Sequence, residues 1–129
     1  MTAKRNIIST QHAPAAVGPY SQAVQVGDLI YSAGQIPLVP ATGKLIEGGI
    51  EAQTKQVMLN LAAVLEAAGS SLAHVIKTTI YVTALANFAA INQVYGSFFA
   101  ADPPARSTVQ VAALPMGAQV EIDVVALVQ

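Results

Sequence analysis

Val124-Val125-Ala126-Leu127-Val128, close to the C-terminal end, is apolar at every position. A strand with one wet face alternates apolar and polar residues, so an unbroken apolar run predicts a strand buried on both faces. The rest of the pattern makes that hard to satisfy within one chain. Ala23–Val26 and Leu29–Ala33 flank Gly27-Asp28, the signature of a two-residue hairpin, and a short strand is expected before them at Ile7-Ile8. From Ile50 to Ala68 the spacing predicts a helix with Val57, Leu61, Val64, Leu65 and Ala68 on one stripe and Gly69 placed to end it. Val75–Thr83, rich in Thr, Ile, Val and Tyr, reads as a strand. A second helix follows, with Asn87 as N-cap, Phe88, Ile91, Tyr95, Phe98 and Phe99 inward, and Asp102-Pro103-Pro104 as its stop. Arg106–Ala113 and Gln119–Val128 are the last two strands, joined through Leu114-Pro115-Met116-Gly117. Two helices cover only one face of such a β-β-α-β-α-β-β sheet. Another copy of the chain is the simplest cover for the other face.

Composition points the same way. Hydrophobic residues make up 53% of the chain and charged residues 10%, against roughly 25% charged in a typical globular protein. At 129 residues one domain is expected over 1–129. So few charges leave much apolar surface to be buried between subunits, and a homo-oligomer is predicted. The net charge is −1 with the six cations scattered, which gives no footprint for nucleic acid. The chain has no cysteine, which excludes disulfides, thiolate zinc sites and a cysteine nucleophile, and fits a reducing compartment. Met1–Thr10 lacks the apolar stretch of a secretory leader. Val57–Gly69, interrupted by Asn60 and Glu66, is too short to span a bilayer. A cytoplasmic protein without membrane contact is expected.

Phosphate-binding glycine loops and the G-x-S-x-G elbow of serine hydrolases are both missing from the sequence. His12 and His74 have no carboxylate or second histidine at ligand spacing, so no metal and no cofactor is expected. What remains is Arg106, the only cation after Lys77, at the start of one strand, and Glu121 in the next. An arginine at a sheet edge serves a structural ion pair or an anionic ligand, which its planar fork meets with two parallel hydrogen bonds. Strand alternation sets Glu121 and Asp123 opposite Val120, Ile122 and Val124. If the last two strands pair as a hairpin, Arg106 and Glu121 share one rim.

Pro104-Ala105-Arg106-Ser107-Thr108-Val109 followed by Val120-Glu121-Ile122 resembles the signature of the RidA family (YjgF/YER057c/UK114). The resemblance continues at Gly18-Pro19-Tyr20-Ser21-Gln22-Ala23, Gly34-Gln35-Ile36-Pro37, Val75-Ile76-Lys77-Thr78-Thr79 and Phe88-Ala89-Ala90-Ile91-Asn92, in order over nearly the whole chain. It implies an α+β, chorismate-mutase-like fold: a mixed sheet with two helices on one face, closed as a homotrimeric barrel with sites in the clefts between subunits. It also implies hydrolysis of reactive 2-imino acids, such as 2-iminobutanoate and 2-iminopropanoate, to 2-keto acids and ammonia. In that reading Arg106 clamps the substrate carboxylate and Glu121 activates water. The backbones of Thr108 and Gly34 hold the imine or keto end, Tyr20 lines the cleft from a neighbouring chain, and Asn92 is a further binding residue. Asp123 is expected to be a solvated or structural carboxylate. The family often has serine where Ala33 stands and cysteine where Thr108 stands, which leaves substrate preference open. RNA cleavage with inhibition of translation is also attached to the family, and a non-catalytic ligand-binding or chaperone-like trimer would use the same cleft.

Overall fold

A mixed six-stranded sheet organises the chain in a computed structural model that describes residues 4–129. The start of the Met1–Thr10 segment, at positions 1–3, lies outside the described residues. The elements run β1 (Arg5–Ile8), β2 (Ala23–Val26), β3 (Leu29–Ser32), α1 (Ile50–Ala67), β4 (Val75–Val82), α2 (Phe88–Gly96), β5 (Ala105–Gln110) and β6 (Val120–Leu127). Across the sheet the order is β1-β2-β3-β6-β4-β5. The expected β2–β3 hairpin is present, and Gly27 takes the left-handed φ of 58° that its tight turn requires.

The α1 stripe forms the core as its spacing predicts. Val57, Leu61, Val64 and Leu65 are 0% exposed and cluster with Ile30, Ile80, Ile122 and Ala126 from the sheet. The helix ends in a Schellman arrangement: the Ser70 amide donates to the Leu65 carbonyl at 2.8 Å and the Gly69 amide to that of Glu66 at 3.0 Å. Helix α2 is shorter than its pattern, stopping at Gly96 rather than at the prolines. Ile91 and Tyr95 are buried as expected, whereas Phe98 and Phe99 are half-buried and Phe88 is 40% exposed. Asn87 occupies the N-cap position without a side-chain cap bond, because the 3-10 turn Leu85–Asn87 feeds straight into the helix.

Two expectations are corrected here. The last two strands do not pair as a hairpin: β5 runs parallel to β4 with Arg106 beside Thr78, while β6 lies antiparallel between β3 and β4. The cause is the β4-α2-β5 crossover, in which the helix carries the chain back and sets the next strand parallel to the first. Nor is β6 buried on both faces within one chain. Val120, Ile122, Val124 and Ala126 are at most 2% exposed on the helix-covered face, but Val125 is only half-buried and Leu127 is 40% exposed on the other. Both helices sit on one face, as expected, and among the described residues the second face carries no helix. Among the described residues no helix is long and apolar enough to cross a membrane.

Candidate functional site

Register decides where the two charged residues point. Arg106 is the partner of Thr78 and Glu121 the partner of Tyr81, both on β4. Thr78 and Tyr81 are three residues apart, an odd step, so they project from opposite faces. Arg106 therefore lies on the helix side and Glu121 on the bare side. The shared rim expected from the sequence is not formed, because the two side chains leave opposite faces of the sheet.

On the helix side, Arg106 rests against aromatic faces. Its guanidinium carbon is 5.4 Å from the centre of the Phe88 ring and 5.1 Å from that of Tyr95. Each such contact is worth about 0.5–1 kcal/mol when exposed and more when desolvated. Tyr95 is itself fixed: its hydroxyl shares a 2.8 Å hydrogen bond with the buried Thr78 hydroxyl, and its ring meets Phe99 at 4.9 Å. Burial raises the Tyr95 phenol above its ordinary pKa, while the Thr78 hydrogen bond and the Arg106 charge pull it back. Phe88, Asn92 and Tyr95 follow one another at helical spacing on α2, so half-buried Asn92 lies on the stripe that carries both rings. Arginine, rings and amide thus form one half-site. The fork is oriented by ring faces, which leaves its hydrogen-bonding edges for an anion.

Thr108 shares this face of β5, two residues beyond Arg106. Its hydroxyl is buried and, among the described residues, has no hydrogen-bond partner. An unpaired buried hydroxyl is unfavourable. Thr108→Val, of nearly the same shape, is expected to raise stability by about 1 kcal/mol, read as an increase in Tm.

The bare side carries a second half-site. Glu121 and Asp123 project together from β6, each half-buried. Burial, and then the charge of Asp123, raise the Glu121 carboxyl above its ordinary pKa. For Asp123 burial also raises the pKa, opposed by the Tyr81 hydrogen bond, the Lys77 charge and Thr79. The Tyr81 hydroxyl donates to Asp123 Oδ2 at 3.1 Å, and Lys77 Nζ donates to Ser107 Oγ at 2.7 Å.

Gly34 forms the wall behind Glu121. Ser32 Oγ accepts from the Val124 amide at 2.9 Å, and the next pairing is the bridge Gln35–Ile122. Ala33 and Gly34 thus stand together against Asp123 alone, a β-bulge that brings Gly34 onto the acid. A Cβ on Gly34 would lie 2.8 Å from Glu121 Cδ. Ser32 is spent on this structural bond.

Tyr20 belongs to neither half-site in one chain. It is 53% exposed in the loop before β2, where its hydroxyl accepts from the Val17 amide at 3.3 Å. A depression of about 710 Å³ has Tyr20 and Gln22 on its wall with Ile8, Thr10 and Pro40. His74 pairs with the Ser71 hydroxyl at 2.9 Å, and no group of three metal-ligating side chains occurs among the described residues. The roles of Phe88, Tyr95 and Tyr81 escaped the sequence reading, although the helical spacing of Phe88, Asn92 and Tyr95 marks the stripe.

These features define an α+β protein with a one-sided sheet and two polar half-sites on opposite faces. The family described as endoribonuclease L-PSP matches residues 10–128. Protein DfrA of Myxococcus xanthus is 52% identical, over 95% of this chain and 95% of its own. The 2-iminobutanoate/2-iminopropanoate deaminase of Mus musculus is 46% identical over 95% and 91%, respectively. A crystal structure of E. coli TdcF with bound serine superimposes with a TM-score of 0.91 at 41% identity, covering 96% of this chain and 99% of that one. The chain belongs to this family, the RidA family.

Proposed function

We propose that the chain hydrolyses 2-imino acids, 2-iminobutanoate and 2-iminopropanoate among them, in clefts between the copies of a homotrimer. The observation that carries this reading is the placement of Arg106 and Glu121 on opposite faces of one sheet. A cleft using both takes Arg106 from one copy and Glu121 from the next, and assembly covers the bare face that leaves Val125 and Leu127 unburied. The name of the mouse relative supports the substrate class, and the serine bound to TdcF supports recognition of an amino-acid-sized carboxylate.

Arg106 grips the substrate carboxylate through its two-pronged edge while Phe88 and Tyr95 hold its plane. Asn92 adds a polar contact beside it. The backbones of Thr108 and Gly34 hold the reacting end, and Tyr20 of a neighbouring copy closes the cleft. A protonated imine carbon is already electrophilic, so a positioned water and one base suffice. Water adds to the carbon as Glu121 takes its proton. The proton passes to nitrogen, Glu121 takes the hydroxyl proton as the carbon–nitrogen bond breaks, and that proton leaves with the ammonia, as ammonium, beside the 2-keto acid.

The test couples a threonine dehydratase to the protein and follows decay of the semicarbazide-trapped imine. Arg106→Ala is expected to raise KM by about one to two orders of magnitude, since the variant loses its carboxylate clamp. A wild-type KM in Arg106→Ala would contradict the assignment. The family's printed description favours a second reading, RNA cleavage. Salt-dependent RNA binding with cleavage would support it, against the net charge of −1. Binding of 2-keto acids without faster imine loss would instead identify a non-catalytic ligand-binding or chaperone-like trimer.

A further inference from the structure

Asp123 has no part in the chemistry above, yet the bare face is built around it. It lies two residues from Glu121 on the same side of β6. Tyr81, the cross-strand partner of Glu121, does not direct its hydroxyl to Glu121. It reaches diagonally to Asp123 Oδ2 at 3.1 Å from its position beside Glu121. Gly34 closes the side opposite. Glu121 thus sits in a slot with backbone behind it, Tyr81 on the strand beside it and a tethered carboxylate next along its own strand.

We propose that Asp123, tethered by Tyr81, is a positioning residue that holds a fixed negative charge beside Glu121 and makes Glu121 the base of the pair. The proposal rests on the reading of Glu121 as the group that activates water. Its physical basis is the division of labour between two neighbouring carboxylates: the one with donors around it keeps its charge, and the other keeps the proton longer. Burial raises both carboxyls, but Asp123 alone has opposing partners, Tyr81, the charge of Lys77 and Thr79 on β4, whereas what bears on Glu121 is burial and then Asp123 itself. Also on this face are Tyr31 of β3, whose partner on β6 is Val125, and, three strands away at the far end, Arg5 of β1, whose partner on β2 is Val26. In the assembled cleft the neighbour's Arg106 would act on Glu121 from across the substrate. A base that binds its proton more tightly takes one from water more readily, so the arrangement favours the hydration step.

The sign follows from the charge. The base must be unprotonated, so kcat/KM rises with pH through the Glu121 transition. Removing the Asp123 charge removes a like-charge repulsion, and that limb moves to lower pH. Asp123→Asn, which keeps an acceptor for Tyr81, is expected to move the acidic limb down by roughly one pH unit. Asp123→Glu keeps the charge and is expected to hold the limb within a few tenths of wild type. An unmoved limb in Asp123→Asn, or the same displacement in both variants, overturns the proposal. Carboxyl-carbon NMR titration of Glu121 in the assembled protein, wild type against Asp123→Asn, reads the same shift without relying on turnover. Full activity in Glu121→Gln would defeat the catalytic reading. The NMR titration would still decide whether Asp123 governs Glu121.

Discussion

Glu121→Gln is expected to lower kcat for imine hydrolysis by about 10²–10⁴-fold while leaving KM little changed. The amide fills the same slot against Gly34 but cannot accept a proton from water. The sharper experiment mixes this variant with Arg106→Ala, each inactive alone at limiting substrate. Because the two side chains leave one chain from opposite faces, an intact pair needs Arg106 from a Glu121→Gln subunit and Glu121 from an Arg106→Ala neighbour. Random mixing in a cyclic trimer produces that combination at one interface in four. Co-refolded mixtures should therefore recover about a quarter of wild-type activity. A site complete within one subunit would leave every mixture inactive, and that outcome would remove the composite cleft from consideration.

The sequence resolved the elements well where local chemistry fixes them. The α1 stripe and Gly69 predict a helix end that closes as expected, and Gly27-Asp28 predicts a hairpin that forms. It failed where topology is non-local. Adjacent strands in sequence suggested a β5–β6 hairpin, but the crossover through α2 puts β5 beyond β4 and lets β6 enter the sheet beside β3. That error placed Arg106 and Glu121 on one rim. Arg106 and Glu121 stood out as candidates because an isolated arginine and a glutamate amid apolar strands are conspicuous in so weakly charged a chain. Their supports did not. Tyr81 bonding Asp123, Tyr95 bonding Thr78 and a bulge at Ala33-Gly34 depend on register, which alternation alone does not specify. The apolar run of β6 was informative in a different way: one chain leaves its outer face partly uncovered, with Val125 half-buried and Leu127 40% exposed.

Gly34→Ala is expected to cost about as much activity as a misplaced catalytic group does, roughly 10²-fold in kcat/KM. The added Cβ would lie 2.8 Å from Cδ of Glu121, a separation that real side chains do not tolerate, so something must move. The loop has little freedom to retreat. Its flanks are pinned by Ala33 N to Gln22 O at 2.9 Å, Gln35 N to Ile122 O at 2.8 Å and Ile122 N to Gln35 O at 3.1 Å. The flexible Glu121 side chain gives way instead, and a displacement of about 1 Å is enough to spoil the approach of water. Because Glu121 is only half-buried and no core contact is lost, stability should fall by no more than about 1 kcal/mol. Kinetics and Tm measured on the same preparation separate the two effects. A large loss of kcat/KM with a nearly unchanged Tm is the expected pair of results, and a fully active Gly34→Ala would show that the acid does not act from the slot described.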